Sequence, residues 1–320
     1  MFKMRVLIHT VFGFLVFLTT HISFAEDYPN KPIRIIVGPG TDALARILSE
    51  KISEDWGNPV IVDVRPAAGG IVAGDAVAKA APDGYTLLLS SSAYTINSVL
   101  QPKLPFDFVK DLKPVSLIAT IPIVLVVNNE LAAQNVKDLV SLAKSKPGAL
   151  NYGSSGNGTP AHLTAEMFNQ ATNVSIVHVP YKGIAPSVTD TIGGQVQLMF
   201  SVAPSVLPMI RGNKLRAIAV TSTKRYKLLP DVPTVMEQGY PDVVYGGWNG
   251  IHVPAKTPPE IVQKLNAEIT KILSLPEVQA KVEAAGFESF IGTTSDFESF
   301  ESNEIIRLKK LVKSANIKID

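Results

Sequence analysis

The chain has 320 residues, with 30 Lys and Arg against 28 Asp and Glu, and no cysteine. A formal charge of +2 offers no basic surface for nucleic acid, and the lack of thiols excludes a disulfide scaffold. Stability must therefore come from core burial, and the length suffices for about two domains of ordinary size.

The first 25 residues, MFKMRVLIHTVFGFLVFLTTHISFA, place Lys3 and Arg5 ahead of a largely apolar run from Val6 to Leu18, then Ser23-Phe24-Ala25. Basic residues, a short apolar core and small residues before the cut predict a secretory signal (residues 1–25) cleaved after Ala25, and hence a periplasmic address. As a membrane anchor the run is short, because about 20 apolar residues are needed to span a bilayer. Without it the chain holds 28 basic against 28 acidic groups, a net charge of zero.

Residues 32–37 (PIRIIV) read as a buried strand. Residues 41–55 put Leu44, Ile47, Leu48 and Ile52 on one helical face, and Gly57 and Pro59 end that helix. A strand at 60–64, a helix at 71–81, a Pro-Asp-Gly turn and a strand at 85–91 complete β-α-β-α-β, the pattern of a parallel sheet covered by helices. Two apolar strands are predicted next, at 115–119 and 123–127. The alternation then restarts, with helices at 136–145, 160–171, 184–192 and 203–211 and strands at 150–154, 175–181, 196–201 and 215–222. A strand at 243–253, helices at 258–274 and 276–285, a strand at 288–292 and a charged helix at 295–314 close the chain.

These elements predict an α/β fold of two Rossmann-like lobes, residues 26–125 with 246–320 in the first and 126–245 in the second. Segments near 123–128 and 243–253 cross between them. A small ligand is expected in the cleft, at the carboxyl ends of the strands.

Two strand-to-helix turns stand out. Gly38-x-Gly40-x-x-Ala43 follows a strand, opens a helix and has Asp63 20 residues further on, the spacing of a dinucleotide fingerprint. The pattern is short, Pro39 sits in the turn, and nicotinamide cofactors are scarce outside the cytoplasm. The plainer reading is a turn in which Thr41 or Asp42 caps the helix, with amides free to hold an anion. The second turn, 153–159 (GSSGNGT), runs from a strand into a helix with Thr159 as N-cap and Pro160 at its first position. Ser154, Ser155, Asn157 and Thr159 offer neutral hydrogen bonds, and Gly156 and Gly158 allow close approach. It lacks the second glycine of a G-x-S-x-G nucleophile elbow and the Gly-Lys-Ser/Thr of a phosphate loop. An anion-holding jaw and a ligand-free tight loop both stay open on these residues alone.

Histidines 162, 178 and 252 have no i+4 partner and no cysteine to join them, so no metal site is expected. His162, on the first turn after the loop, is a ligand candidate, and His178 reads as a core residue. Ser91 and Tyr94, after the third strand, are candidates for the cleft. Arg65 reads as structural, and Trp248 as either a cleft residue or packing between lobes.

The order of the blocks YPNKPIRIIV, GTDALARIL, VRPAAGG, AAPDGYTLLL, LNYGSSGNGTPAHLTAEMF, VPYKGIAPSVTD, GGQVQLMF, LRAIAVTSTKR, LPDVPTVMEQGYP and TPPEIVQKLNAEI resembles the Bug-type extracytoplasmic solute receptors of tripartite tricarboxylate transporters. The resemblance covers essentially the whole chain after the signal. It implies a type II periplasmic-binding-protein fold, two lobes closing on a small organic carboxylate, delivery to membrane permease subunits, and neither cofactor nor catalysis. A monomer is expected. It also implies a pincer of two loops, here 38–42 and 153–159, on one carboxylate. The sequence departs from the family in a first loop several residues short, and in Ser201 where an Asp often follows LMF. Without that Asp, the resemblance implies carboxylates lacking an amino group. The competing readings are an exported enzyme using the Gly38–Ala43 turn for a nucleotide cofactor, and a receptor presenting its ligand to a membrane sensor.

Overall fold

The computed structural model describes residues 28–38, 42–65, 70–101 and 103–314. The predicted signal and its cleavage point lie outside them, as do Gly40 and Thr41. Strand β1 (Ile33–Val37) is buried at Ile33, Ile35, Ile36 and Val37, on both faces, which is why its sequence shows no alternation. Helix α1 (Ala43–Trp56) buries Leu44, Leu48 and Ile52 and stops where Gly57 turns left-handed at φ +67°. The first unit continues through β2 (Val60–Val64), α2 (Ile71–Ala78) and β3 (Thr86–Ser91).

Two helices appear that the periodicity did not predict, α3 (Ser92–Leu100) and the short α4 (Phe108–Asp111). The α3 segment, SAYTINSVL, is rich in Ser, Thr and Asn, which compete with helix in isolation; tertiary packing of Tyr94 and Ile96 overrides that. One 16-residue strand, β4 (Leu112–Val127), then replaces the two predicted strands. The break suggested by Thr120 and Pro122 is real only as a change of partners. Pro122 lies opposite the first residue of strand β9 (Gly246–Pro254), and from Ile123 onward β4 pairs with other strands instead.

The second unit comprises α5 (Val136–Ser145), β5 (Asn151–Ser154), α6 (Pro160–Thr172), β6 (Val177–Pro180), α7 (Ile184–Ile192), β7 (Leu198–Val202), α8 (Ala203–Arg211) and β8 (Arg216–Val220). After β9 come α9 (Pro259–Leu273), α10 (Pro276–Ala284), β10 (Glu288–Ser289) and α11 (Thr294–Ser314). The strand order is β2-β1-β3-β9-β4-β7-β5-β6, with β8 and β10 also paired to β4. Residues 112–122 of β4 pair with β9, and residues 123–127 pair with both β7 and β8. A single strand therefore runs through both groups of strands.

Helix α9 packs Leu265, Ile269 and Ile272 into the core formed by β1 and α1. Helix α11 behaves differently. Its Phe297 joins the core under β3 and β9, whereas Leu308 and Leu311 join Phe168 and Phe200 of the second unit. Ile96 of α3 does the same. The chain's C-terminal helix thus straddles the two cores.

Candidate ligand-binding cleft

A cavity of about 410 Å³ opens at the carboxyl ends of β1 and β3, beside the point where β4 changes partners. That volume lies in the range of small-molecule sites. Five helices begin at its wall: α2 at Gly70, α3 at Ser91–Tyr94, α6 at Pro160, α7 at Ile184 and α8 at Pro204 and Ser205. Four of them, α2, α3, α7 and α8, have no side chain capping the N-terminus. Each such end leaves amide N–H groups without an intrahelical partner and carries roughly half a positive charge from aligned peptide dipoles. No charged side chain lines the cavity among the described residues. The segments 39–41 and 66–69 contain only Pro, Gly, Thr and Ala, so they bring no ionisable group either. The field inside therefore comes from helix ends, and it favours an anion.

Of the predicted site residues, Gly38, Ser91, Tyr94 and Trp248 line this cavity. A Cβ on Gly38 would lie 3.1 Å from both the Gly70 Cα and the Tyr94 hydroxyl, so only glycine fits there without displacement. Tyr94 donates its hydroxyl proton to the Gly70 carbonyl at 2.9 Å and stacks on Phe108, so it shapes the wall and has no proton left to donate to a ligand. Trp248 is fully buried and forms part of the floor, its indole N–H donated away from the cavity to Glu304. Asp42 lies outside the lining. Its carboxylate accepts from Arg46 at 2.6 Å and caps nothing, contrary to the expected N-cap role. Asp63, the acid of the apparent dinucleotide fingerprint, is taken up by Arg65 at 2.9 Å and Arg34 at 3.8 Å.

The 153–159 loop is built differently from the expectation. Ser154 is fully buried, and its hydroxyl lies 2.7 Å from His178 Nε2 and 3.1 Å from both the Gly156 N–H and carbonyl. Thr159 donates to the Gly156 carbonyl at 2.8 Å and accepts from the His162 N–H at 3.5 Å as the α6 cap. Those two hydroxyls hold the loop together and are not free to hold a ligand. Gly156 at φ +131° and Gly158 at φ +70° supply the left-handed turns that the path requires. Ser155 is half-buried and Asn157 exposed, and neither lines the cavity. The loop reaches the cavity only through Pro160.

His162 is likewise outside the lining. Its Nδ1 accepts from the Gly158 N–H at 3.0 Å, which puts the proton of the neutral ring on Nε2. It stacks on His178 with ring centroids 4.0 Å apart, and the Tyr152 ring lies 4.8 Å from His178 and 6.5 Å from His162. The histidines therefore do gather, two of them, against the reading from spacing. Burial lowers both to about 4, with mutual repulsion adding to the shift of His178. Both rings are neutral near pH 7. Among the described residues no group of three or more His, Cys, Asp or Glu is placed to hold a metal.

Ser201 is fully buried within β7 opposite Val124 and does not face the cavity, so its identity does not govern what enters. His252 stands between Ser90 Oγ (2.8 Å from Nδ1) and Glu301 (2.9 Å from Nε2). The trio has the composition of a hydrolytic triad, yet Ser90 is fully buried and donates to the Gly250 carbonyl at 2.9 Å. It has no route to a substrate.

The structure adds one group that no motif announced. Glu304 is buried beneath the floor and accepts from Trp248 Nε1, from Thr95 Oγ1 at 3.0 Å and from the Tyr245 hydroxyl at 3.3 Å. Burial raises it to about 7, partly offset by those three hydrogen bonds. Its signal in the sequence is positional: Phe297, Glu301, Glu304, Leu308 and Leu311 form the buried stripe of α11, two acids among apolar residues.

A strand shared by two α/β groups, with a cavity between them ringed by helix N-termini, defines a periplasmic-binding-protein type of receptor. The family model for the "Tripartite tricarboxylate transporter family receptor" matches residues 44–317, and the chain belongs to that family. It is 37% identical over 301 residues to Protein BugT of Bordetella pertussis, covering 92% of each chain. Among solved structures it resembles R. palustris Rpa4515 with adipate, at 33% identity and a TM-score of 0.81, covering 91% of this chain and 99% of that one. It also resembles MatC from Rhodopseudomonas palustris with bound malate, at 27% identity and a TM-score of 0.75, covering 89% and 100%. The aliphatic sulphonate binding protein SsuA from Escherichia coli shares the fold alone, at 9% identity and a TM-score of 0.57. No helix among the described residues is long and apolar enough to cross a membrane.

Proposed function

We propose that the protein is a periplasmic receptor, released by cleavage after Ala25, that captures a small carboxylate between two closing lobes. The lobes are residues 26–125 with 246–320, and 126–245. The loaded receptor, a monomer, delivers its ligand to the membrane permease subunits of a tripartite tricarboxylate-type transporter. The observation that carries the reading is the convergence of five helix N-termini, four without side-chain caps, on a cavity lined by no charged side chain among the described residues. Adipate in Rpa4515 and malate in MatC supply the ligand class. Micromolar capture requires about 8 kcal/mol, within reach of several charge-assisted hydrogen bonds and the burial of the ligand's body.

Binding without bond-breaking suits this site. The serine–histidine–acid trio of Ser90, His252 and Glu301 is sealed in the core, and the acid of the nucleotide-like turn is neutralised by two arginines. The test is a thermal-shift screen of mono-, di- and tricarboxylates, aromatic acids and amino acids. At 100-fold excess over Kd a ligand stabilises the folded state by about 2.7 kcal/mol, which raises Tm by several degrees. At least one carboxylate is expected to do so, and silence across all of them overturns the reading.

A further inference from the structure

We infer that the preferred ligand is a carboxylate with an unsubstituted apolar body, and that hydroxyl or ammonium groups on that body are selected against. The inference rests on the receptor reading above and narrows it.

The polar atoms of the described lining are not spread evenly. Ser91 and Ser92 stand at the start of α3, and Ser205 stands in the first turn of α8. The other two polar side chains already have partners: Tyr94 donates to Gly70, and Asn249 donates its amide to the Ser90 carbonyl at 3.1 Å. Between the helix ends the wall is carbon, from Leu89, Ile121 and Phe287 and the ring of Trp248, and Ile184 and Val202 add apolar side chains at the starts of α7 and α8. Donors thus sit where a carboxylate goes, and hydrocarbon sits where the rest of the molecule goes.

An ammonium on the ligand body would need a carboxylate within reach. No carboxylate lines the cavity among the described residues; Glu304 lies behind the Trp248 indole and Asp42 is held by Arg46. A hydroxyl on the body would lose its water partners against Leu89, Ile121 and Phe287 and regain none from those side chains, a loss that typically costs an order of magnitude in affinity. Helix ends offer only donors, so they leave the proton of a body hydroxyl without an acceptor.

The experiment is calorimetric titration of the purified mature protein with matched trios that differ only in the substituent. Suitable trios are succinate, malate and aspartate; glutarate, 2-hydroxyglutarate and glutamate; and 3-phenylpropionate, 3-phenyllactate and phenylalanine. In every trio that contains a binder, the unsubstituted acid is expected to bind at least ten-fold tighter than its hydroxy and amino counterparts. Ile121→Thr, which adds a hydroxyl to the wall away from the helix ends, is expected to narrow the hydroxy-acid penalty at least three-fold. Equal or tighter binding of a hydroxy or amino acid overturns this inference and leaves the receptor reading standing. Silence in all trios, with the thermal-shift screen also silent, overturns both.

Discussion

Two buried clusters flank the cleft, and they keep ionisable groups neutral by opposite routes. Beneath the floor, Glu304 is walled in by Trp248, Thr95 and Tyr245, and burial holds its proton on up to about 7. Behind the second loop, His162 and His178 are stacked between Tyr152 and the loop amides, and burial strips their protons down to about 4. An acid kept protonated and two bases kept unprotonated have the same consequence. Between about pH 4 and 7 neither cluster adds formal charge beside the cavity, which leaves the helix N-termini to set its field. The clusters differ in what they fasten. Glu304 ties α11 to α3 and β9, one end of which is the cavity floor, whereas the histidine stack fixes the path of a loop that reaches the cavity only at Pro160.

The difference is sharpest at Trp248. Truncation to Ala removes a fully buried indole and is expected to cost about 3–5 kcal/mol, read as a drop in Tm or urea midpoint. Trp248→Phe keeps most of the ring but removes a donor to Glu304, with an expected cost of about 1–3 kcal/mol. No mutation in the histidine stack is expected to approach the first figure.

Next in size is the pH dependence set by Glu304. Its folded value, about 7, lies above the ordinary 4.5, so between those limits the folded state holds a proton the unfolded chain has released. The stabilisation is full below about 4.5 and is lost as pH rises through 7, on the order of 3 kcal/mol across that window. Glu304→Gln is expected to flatten the decline in urea-derived stability between pH 5 and 7. An unchanged slope breaks the pairing of the two clusters.

The histidine stack has the opposite sign, and at His178, its more exposed ring, the smaller effect. Values near 4 lie below the ordinary 6.5, so the unfolded chain takes up protons that the folded one refuses. Stability is present above about 6.5 and lost as pH falls toward 4, with about 1–2 kcal/mol of it from His178 once that ring's partial exposure is allowed for. His178→Gln is expected to shallow the acid limb of the stability curve and leave the alkaline limb as it was.

Much of the architecture is legible in the chain. Helices such as α5 and α7 fall where the 3.6-residue periodicity places them, because their apolar stripes depend only on local spacing. The continuity of β4 is not legible, since Pro122 looks like a stop until its two sets of partners are known. In the site, Gly38, Ser91 and Tyr94 come to the cavity because strand-to-helix turns at the carboxyl edge of a sheet must converge there, whereas Trp248 reaches it from the start of β9, which runs antiparallel to β3. The side chains of Ser154 and Thr159 do not, because their partners, His178 and the Gly156 carbonyl, claim them first in three dimensions. The starts of α7 and α8 escaped notice for a related reason. Their direction toward the cavity depends on how the two strand groups face each other, which no local pattern records.

The central claim is that helix ends, and no charged side chain, hold the ligand's charge. Ser205→Asp tests it most directly, since it puts a carboxylate in the first turn of α8 at the cavity wall. A negative charge there suits the helix, so Tm of the free protein is expected to hold or rise by the equivalent of about 0.3–1 kcal/mol. Calorimetry with the carboxylate that the wild-type protein binds tightest is expected to show affinity falling at least 100-fold, with Ser205→Asn falling far less. Undiminished binding in Ser205→Asp would contradict the account.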